Sequence, residues 1–499
     1  MTAPASVLAL DAGTGSGRAA LFGLDGRLLG VASRRWSFTT PPALDPVGKE
    51  FSTEQFFGWI AEATREAHER AGRPEVRAIA ATGLRGGSVL LDATGETVAA
   101  SPIQDVRALM TVGDVDDTVP DLYARTGHSP TWLFPLARLA WYRSEAPALF
   151  ERVTTLLSID EWLLFALSGE RRATPSSAGD SMCFAVGARA WDREILDRLG
   201  LPAGVLPPLA MTGETVGRLT PSAARMLGLA AGIPVVACAG DTQAALLGSR
   251  ALDPDTVGVV AGTTAPVMAV STEPVADPKG CLWLGCHPLA NRWVLEGNSG
   301  RAGSSLDWTL ELLGLDAPDR FGELERLVSA VAPGSNRAFA FLGAEPVDLS
   351  NLNPARPAGF LFPAPELGFV VGRGEILRAT LENIAFAVEA NLRRIARVMP
   401  LEGAELALTG GLSVSPSLAQ IVADVTGRTV HTGVHGQGAA LGCAVAAATA
   451  VGAYGSLREA AQRMVERAHL HAPDADRHGI YLDAFEAWHE RWRTFQSIT

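Results

Sequence analysis

The stretch Asp11-Ala-Gly-Thr-Gly-Ser-Gly-Arg18 joins two short apolar segments that are predicted to be neighbouring buried strands. Three glycines in such a hairpin bring several backbone N–H groups close to one point and leave room for a phosphate. Thr14 and Ser16 can add hydroxyl donors, and Asp11, at the end of the first strand, can hold Mg²⁺ directly or through water. The pattern therefore favours a phosphate-binding hairpin. A tight turn that needs glycine only for its conformation is the alternative.

Two other nucleotide-binding motifs are excluded by the surrounding sequence. Gly15-Ser-Gly17-Arg-Ala-Ala20 matches the dinucleotide pattern G-x-G-x-x-A, which requires a helix to start there. The turn predicted at Asp25-Gly26 follows too soon for that helix. The P-loop pattern is absent because the sole Gly-Lys pair, Gly48-Lys49, lacks the upstream glycine.

Composition limits the partners and the compartment. A chain of 499 residues is too long for one core and predicts two or three domains. A net charge of -12 disfavours nucleic acid and anionic membranes as partners. The five cysteines are odd in number and scattered, which fits a reducing compartment, and Cys281 with Cys286-His287 is too irregular to predict a metal site.

Hydropathy predicts a soluble, cytoplasmic protein. No basic segment followed by a long apolar one precedes Asp11, so no signal peptide is expected. The longest run of small apolar residues, 439–453, is shorter than the roughly 20 residues that a bilayer requires. That run is predicted to be a buried helix.

The second half of the chain repeats the design of the first. A strand at 257–260, the turn Gly262-Thr-Thr264 and a strand at 267–270 form another Gly-Thr hairpin. Such a repeat suggests an internal duplication with a cleft between the halves. We place the domains at residues 1–247 and 248–499, because Asp253-Pro254 begins a new strand-forming region.

Asp241 is the candidate general base. In Gly240-Asp-Thr-Gln-Ala-Ala-Leu-Leu-Gly248, a strand predicted over 235–239 is followed by an acid and a helix. The helix dipole is expected to keep the carboxylate ionised. Even a weak base can accept the proton of an attacking hydroxyl, because phosphoryl transfer passes through a loose transition state. An ordinary N-cap is the alternative role.

Two loops of the second half are candidates for the nucleotide. Thr263 and Thr264 would contact the phosphates from the side opposite the first hairpin. Thr409-Gly-Gly-Leu-Ser-Val-Ser-Pro416 places Gly410 and Gly411 after a strand, where a flat backbone could lie under an adenine. A helix-entry turn is the alternative for this segment.

Taken in order, these segments resemble the FGGY family of carbohydrate kinases over nearly the whole chain. The family motif D-x-G-T-x-S-x-R corresponds to residues 11–18, and G-D-x-x-x-A-x-x-G corresponds to 240–248. The Gly-Thr-Thr loop at 262–264 and a late G-G-x-x-x-S-P-x-x-x-Q-x-x-A-D segment at 410–424 follow. Each motif alone is weak, whereas four in the correct order are highly specific.

The resemblance implies an α/β fold with two actin-like (ribonuclease H-like) domains that close on a sugar and Mg²⁺-ATP. It implies that Asp241 is the general base and that Asp11 serves the metal. The positions implied for the nucleotide cofactor are Gly13, Thr14, Ser16, Arg18, Thr263, Thr264, Gly303, Asp307, Gly410, Gly411 and Ser415.

The resemblance also locates the acceptor. Family members commonly line the sugar with the loop after the strand at 79–82, which here contains Arg85 and Gly86, and with the positions of Gln104 and Asp105. The Arg85 guanidinium could donate a forked pair of hydrogen bonds to hydroxyls or to an anion. A surface arginine is the alternative.

Some positions depart from the family pattern. Gln437 stands where a glutamate is usual, and the acceptor loop lacks both the Met-His of xylulose kinases and the Arg-Glu of glycerol kinases. Leu10-Asp-Ala-Gly-Thr-Gly-Ser16 together with the later Gly48-Lys-Glu-Phe51 is similar to the branch of the family that contains autoinducer-2 kinases. None of these features identifies the acceptor.

The sequence thus predicts ATP-dependent phosphorylation of a hydroxyl, usually primary, of a small sugar, polyol or related compound. One rival is a non-catalytic, nucleotide-dependent switch of the same fold, which would not need Asp241. Another is an ATP hydrolase or acid kinase, which would need cations to hold its substrate. A homodimer is a candidate assembly, and the sequence does not decide it.

Overall fold

The computed structural model describes residues 5–315, 319–353, 357–364, 366 and 368–496. The strands are β1 (Ala5–Ala12), β2 (Ser16–Gly23), β3 (Leu28–Arg35), β4 (Glu75–Gly83), β5 (Ser88–Leu91), β6 (Thr97–Ser101), β7 (Thr155–Leu157), β8 (Phe184–Ala185), β9 (Ala190–Trp191), β10 (Thr215–Arg218), β11 (Pro234–Val236), β12 (Thr256–Val260), β13 (Thr264–Ser271), β14 (Trp283–Cys286), β15 (Trp293–Arg301), β16 (Phe339–Phe341), β17 (Gly359–Leu361), β18 (Glu405–Thr409), β19 (Val430–Thr432) and β20 (His469–His471).

The helices are α1 (Thr53–Arg70), α2 (Val112–Thr118), α3 (Leu122–Thr126), α4 (Pro135–Glu145), α5 (Pro147–Phe150), α6 (Ile159–Ser168), α7 (Pro175–Gly179), α8 (Arg193–Arg198), α9 (Pro221–Leu227), α10 (Asp241–Ser249), α11 (Gly303–Leu312), α12 (Arg320–Ser329), α13 (Arg373–Ile395), α14 (Pro416–Thr426), α15 (Gly438–Ala450), α16 (Leu457–Met464) and α17 (Ala475–Gln496).

The chain divides into two compact units. The first contains Met1–Leu252, Thr272–Val294 and Gly438–Val465, and the second contains Asp253–Ser271, Leu295–Gln437 and Glu466–Thr499. Each unit therefore takes segments from both halves of the sequence.

The first unit is built on a six-stranded sheet in the order β10-β11-β4-β1-β2-β3. The strand β1 pairs antiparallel with β2 and parallel with β4, and β4 pairs parallel with β11. Both faces of β1 are buried: Leu8 and Leu10 pack in the core that includes α1 and α6, whereas Val7 and Ala9 pack in the core that includes α15. An apolar strand covered by helices on both faces explains why the segment contains almost no polar residue.

The second unit repeats the central design of the first. Its sheet contains β13-β12-β18-β19-β20 as neighbours, and β12 pairs antiparallel with β13 and parallel with β18. In both units, therefore, a hairpin places its first strand beside a later parallel strand. This shared arrangement of strands confirms the predicted repeat of the Gly-Thr hairpin.

Most predicted elements are confirmed, and several differ in extent, including β13, which begins at Thr264 instead of at Val267. The strand predicted over 235–239 ends at Val236, because the backbone of Ala237 bonds with Gly213 and Glu214 outside a ladder. The region 135–167, predicted to be mainly helical, also contains the short strand β7. The run at 439–453 contains the largely buried helix α15, which ends at Ala450.

The structure also bears on the cysteines and on membrane insertion. All five cysteines are free, and Cys286 and His287 are buried. The Nε2 atom of His287 lies 3.0 Å from the Ala251 carbonyl oxygen, and Nδ1 accepts the Leu289 N–H at 2.9 Å. Its ring nitrogens are therefore satisfied by the backbone. Across the described ranges, no helix combines the length and apolarity needed to span a bilayer.

Candidate active site

Three strand ends of the first unit meet at one edge of its sheet. Asp11 in β1 lies opposite Thr82 in β4, and the Thr82 hydroxyl donates to the Ala239 carbonyl oxygen at 2.7 Å. Because β1, β4 and β11 are parallel, the residues that follow them emerge at the same edge. This edge gathers Asp11, the loop containing Arg85, and Asp241.

The first hairpin holds its acid beside a cation. Asp11 and Arg18 are partners across the β1–β2 ladder, and Nη1 of Arg18 lies 3.4 Å from Oδ2 of Asp11. Burial raises the pKa of the Asp11 carboxyl, and the charge of Arg18 partly offsets this effect. The carboxyl is therefore held at the strand end with one nearby positive charge.

The glycines of the hairpin have different roles. A Cβ atom on Gly15 would meet nothing within 4 Å, so the turn is open at that point. A Cβ atom on Gly17 would lie 2.4 Å from the Trp36 ring. The expectation that Gly17 leaves room for a phosphate is therefore corrected, because it leaves room for a tryptophan. The indole N–H of Trp36 donates to the Thr14 carbonyl at 3.4 Å and braces the turn.

A magnesium ion fits the residues at this edge. No group of three or more His, Cys, Asp and Glu side chains within the described residues could hold a metal ion. Mg²⁺ does not require such a group, because it usually takes one or two carboxylates together with waters and phosphate oxygens. The Asp11 carboxyl, placed on a hairpin with an open turn, is a suitable ligand of this kind.

Asp241 is the first residue of α10, and it does not cap the helix. The N-cap position belongs to Gly240, and no side chain caps the helix there. Among the residues that the structure describes, the Asp241 carboxyl accepts one hydrogen bond, from the N–H of the next residue, Thr242, to Oδ1 at 2.8 Å. The alternative of an ordinary N-cap is therefore wrong, and the carboxyl retains acceptor capacity.

The electrostatic surroundings of Asp241 favour a base near neutral pH. Burial raises the pKa of its carboxyl to about 7; the charge of Arg85 lowers the pKa, whereas Asp11 and Asp180 raise it. The expectation that the helix dipole keeps the carboxylate ionised holds only above about pH 7, because burial raises the pKa. A carboxyl with this pKa suits general base catalysis, which is most efficient when the pKa lies near the working pH.

The position of Asp241 is fixed by a close helix crossing. A Cβ atom on Gly248 of α10 would lie 1.9 Å from the Gly438 carbonyl oxygen. One on Gly442 of α15 would lie 1.9 Å from the Ala244 carbonyl oxygen. Since no side chain fits between the two backbones, the family glycine at 248 has a packing role.

Arg85 lies at this edge with most of its side chain covered, and the surface alternative is wrong. Its side chain is only 10% exposed, and Nη1 lies 3.6 Å from Oδ1 of Asp180. A Cβ atom on Gly240 would lie 3.1 Å from Cγ of Arg85, so the arginine stem crosses the residue before Asp241. The guanidinium of Arg85 therefore lies near the carboxyl groups of Asp180 and Asp241.

Asp105, a predicted acceptor ligand, is already occupied by protein partners. Its oxygens accept from Nε of Arg107 at 2.7 and 2.9 Å, and Oδ1 also accepts the Lys49 N–H at 3.2 Å. Arg107 is itself buried, and it donates to Glu50 at 2.9 Å and to the Tyr142 hydroxyl at 3.0 Å. The geometry therefore favours a positioning role for Asp105.

The other two predicted acceptor residues differ from Asp105. Gly86 has a φ of +70°, and its carbonyl accepts from the buried guanidinium of Arg138. Gln104 has a buried Oε1 atom with no hydrogen-bond partner in the described part of the chain. Gly86 thus shapes the loop, and Gln104 keeps an acceptor atom for a ligand.

Three buried residues near Arg85 were missed by the sequence reasoning. They are His128, Asp180 and Trp283. His128 and Asp180 lie in segments without helical or strand periodicity, and they are separated by about fifty residues. The only signal available was Asp180 itself, a charged residue at the end of a run of small residues.

The predicted nucleotide loops of the second unit come together. Gly303 donates its N–H to the Gly262 carbonyl at 2.9 Å, and a Cβ atom on Gly303 would lie 2.5 Å from that oxygen. Gly410 has a φ of +93°, and a Cβ atom there would lie 2.6 Å from the Ala261 carbonyl oxygen. The three glycines therefore surround one turn, in which Thr263 and Thr264 are exposed.

Gly411, Ser415 and Asp307 complete the predicted nucleotide set. A Cβ atom on Gly411 would meet nothing within 4 Å, so this backbone is open. Ser415 is buried and caps α14 by accepting the Leu418 N–H at 3.2 Å. Asp307 is 59% exposed and pairs with Arg320 at 3.0 Å. The open backbone at Gly411 leaves room for a flat ligand, and Ser415 lies close by, at the start of the helix that follows.

Comparison with known proteins identifies the family. The model of the N-terminal domain of the FGGY family of carbohydrate kinases matches residues 6–248, and the model of its C-terminal domain matches residues 257–451. The chain therefore belongs to the FGGY family of carbohydrate kinases. It is accordingly a kinase of the class that phosphorylates sugars with ATP.

Individual relatives agree with this identification. The autoinducer-2 kinase of Salmonella paratyphi B is 30% identical over 97% of this chain and 93% of its own length. The ligand-bound xylulose kinase of Lactobacillus acidophilus superposes with a TM-score of 0.85 at 18% identity, covering 98% of each chain. The glycerol kinase of Plasmodium falciparum with ADP superposes with a TM-score of 0.82 at 18% identity, covering 98% of this chain and 99% of its own. The predicted two-domain, actin-like α/β fold is confirmed.

Proposed function

We propose that the chain transfers the γ-phosphoryl group of ATP to a hydroxyl, usually primary, of a small sugar, polyol or related polyhydroxy compound. The observation that carries the proposal is the state of Asp241. This carboxyl begins a helix without capping it, stands near Arg85, and has a pKa raised to about 7. A protein that only bound nucleotide would not need a base placed in this way.

The reaction assigns one role to each group of residues. Asp241 accepts the proton of the acceptor hydroxyl as that oxygen bonds to the γ-phosphorus, while the bond from phosphorus to the ADP oxygen breaks. Arg85 orients the acceptor through its guanidinium. Little proton removal is required before the transition state, so positioning supplies most of the rate.

The nucleotide is assigned to both Gly-Thr hairpins. Gly13, Thr14, Ser16 and Arg18 would contact its phosphates from the first hairpin, with Thr263 and Thr264 from the second. Asp11 would hold Mg²⁺, which when bound neutralises charge on the phosphate oxygens.

The remaining assignments divide the chain by role. The nucleotide positions on the C-terminal side would be Gly303, Asp307, Gly410, Gly411 and Ser415. We accordingly propose residues 1–247 as the domain of the acceptor and the base, and residues 248–499 as the domain that binds most of the nucleotide.

Autoinducer-2 is the first acceptor to test, because relatives 30% identical over nearly the whole chain are named for it. The purified protein would be incubated with ATP and, separately, autoinducer-2, xylulose, glycerol and an aldonic acid. ADP and the phosphorylated product would both be quantified. We expect equal amounts of ADP and product with at least one neutral acceptor.

Other outcomes would support the rival functions. ADP formed without a phosphorylated product would indicate a hydrolase, and product from the aldonic acid alone would indicate an acid kinase. Nucleotide binding without turnover of any acceptor would favour a non-catalytic switch.

A further inference from the structure

A buried polar cluster adjoins Arg85 in the first unit. It consists of Asp180, which ends α7, together with His128 and Trp283, and the three residues are at most 4% exposed. Oδ1 of Asp180 lies 3.6 Å from Nη1 of Arg85 and 3.4 Å from Nε2 of His128. The rings of His128 and Trp283 have centroids 5.3 Å apart. Arg85, Asp180, His128 and Trp283 therefore follow one another as neighbouring side chains.

Two polar atoms of this cluster are buried without hydrogen bonds. Over the residues that the structure describes, Oδ2 of Asp180 and Nε1 of Trp283 have no hydrogen-bond partner. Oδ2 of Asp180 is an acceptor, and Nε1 of Trp283 is a donor. Buried polar atoms are nearly always paired, so an unpaired acceptor and donor beside one histidine require an explanation.

The cluster also lies close to the reacting end of the site. The charge of Asp180 contributes to the raised pKa of Asp241, and Arg85 contacts the residue before Asp241. A molecule with one hydroxyl at Asp241 could therefore place another polar group at the cluster.

The two unpaired atoms define the chemistry of that group. A hydroxyl can donate to a carboxylate and accept from an indole N–H, whereas a carboxylate ligand could only accept. The edge already contains the carboxyls of Asp11, Asp180 and Asp241, against the guanidinium groups of Arg18 and Arg85. An anionic group at the cluster would face the unpaired Oδ2 atom of Asp180, a carboxylate oxygen to which it could not donate a hydrogen bond.

We propose that Asp180 and Trp283 bind hydroxyls of the acceptor, and that the site therefore selects a neutral polyhydroxy compound over a sugar acid. Oδ2 of Asp180 is the acceptor in this contact, and Nε1 of Trp283 is the donor. His128 is a positioning residue that holds the Asp180 carboxylate, and Arg85, which contacts the acceptor in the proposed function, also lies beside this carboxylate. The inference rests on the proposed function, since it names the substrate class of the same site.

The experiment measures acceptor binding by calorimetry on the full chain, with xylulose, glycerol, autoinducer-2 and xylonate as ligands. Because binding is measured instead of turnover, the result does not depend on Asp241 acting as a base. The variants are Asp180→Asn, which keeps the size and shape of the side chain, and Trp283→Phe, which keeps an aromatic ring and removes the indole N–H. Asp192→Asn is the control, since Asp192 pairs with Arg125 at 2.7 Å and is not a member of the cluster.

We expect the wild type to bind a neutral ligand more tightly than xylonate. Asp180→Asn should weaken binding of the neutral ligand by roughly tenfold to a hundredfold, as for the loss of a hydrogen bond to a charged group. Asp180→Asn should also reduce the ratio between the affinity for the neutral ligand and the affinity for xylonate. Trp283→Phe should weaken neutral binding by less, and Asp192→Asn should not change it.

Unchanged neutral binding in Asp180→Asn and Trp283→Phe would overturn the inference and leave the cluster as a structural site. Equal weakening of both ligands together with a lower melting temperature would overturn it as well, as would no binding of any neutral ligand to the wild type. Neutral binding without phosphorylation would instead refute the proposed function and leave this inference standing.

Discussion

Gly442 in α15 lies so close to Ala244 in α10 that a Cβ atom on Gly442 would stand 1.9 Å from the Ala244 carbonyl oxygen. Gly248 in α10 makes the reciprocal approach to Gly438. Because α10 begins at Asp241, the crossing that packs these two helices also places the carboxyl of the proposed base.

Gly442→Ala should therefore reduce both stability and activity. The added methyl group must push the two backbones apart, and overpacking of this kind costs about 1–3 kcal/mol of unfolding free energy. Urea denaturation and the kcat for the best acceptor would be measured together. Gly58→Ala in α1 is the control, since its Cβ atom would meet nothing within 4 Å and alanine favours a helix by about 0.5–1 kcal/mol. A Gly442→Ala protein as stable and active as the wild type would refute the packing role.

Asp105→Asn should act mainly on stability. Removing the charge leaves Arg107 buried with only part of its partners, and breaking a buried pair in this way costs about 3–5 kcal/mol. The denaturation midpoint should fall, while the acceptor KM of the protein that remains folded should change little. A large rise in acceptor KM at unchanged stability would instead show that Asp105 binds the substrate.

Gly303→Ala should affect the nucleotide and leave the acceptor unaffected. Its Cβ atom would lie 2.5 Å from the Gly262 carbonyl oxygen and would displace the turn that carries Thr263. The KM for ATP should rise by about tenfold or more, because small misplacements of positioning groups are costly. Gly479→Ala in α17, where nothing lies within 4 Å, is the matched control. Equal changes in both KM values would contradict the assignment.

The pH dependence should report the Asp241 carboxyl. Since its pKa is raised to about 7 and the base must be ionised, kcat/KM should rise as the pH increases toward 7 and then level off. The free energy of unfolding should change in the opposite direction to the activity as the pH rises. Between about pH 4 and 7 the folded state binds more protons than the unfolded state, so this group lowers stability as the pH rises. An activity profile that is flat from pH 5 to 8 would contradict the role.

The same raised pKa makes a prediction for Asp241→Asn. The variant lacks the ionising group, so its melting temperature should exceed that of the wild type above pH 7 and approach it near pH 4. Melting curves across this range would test the sign. A variant less stable than the wild type at pH 8 would show that the ionised carboxyl stabilises the fold.

Much of the fold and of the candidate site could be predicted from local patterns. The hairpin around Gly13 and the start of α10 at Asp241 depend on short apolar segments and glycines that lie next to each other in sequence. Such signals need no knowledge of distant residues. The repeat of the hairpin at Gly262 was visible for the same reason.

The features that sequence reasoning missed depend on contacts between distant residues. Gly17 faces the Trp36 ring. Asp105 accepts hydrogen bonds from Arg107, and Arg107 in turn donates to Glu50 and to the Tyr142 hydroxyl. Neither set of partners follows a helical or strand period. The raised pKa of Asp241 was not predicted, because the helix dipole can be read from the sequence whereas burial depends on the whole fold.

The most direct test of the account is the kcat of Asp241→Asn with the best acceptor, measured alongside the affinity for ATP. As general base catalysis contributes typically 10²–10⁴-fold, we predict that kcat falls by about two to four orders of magnitude while the Kd for ATP stays nearly unchanged. Unaltered turnover in a folded, ATP-binding variant would contradict the assignment of Asp241 as the base.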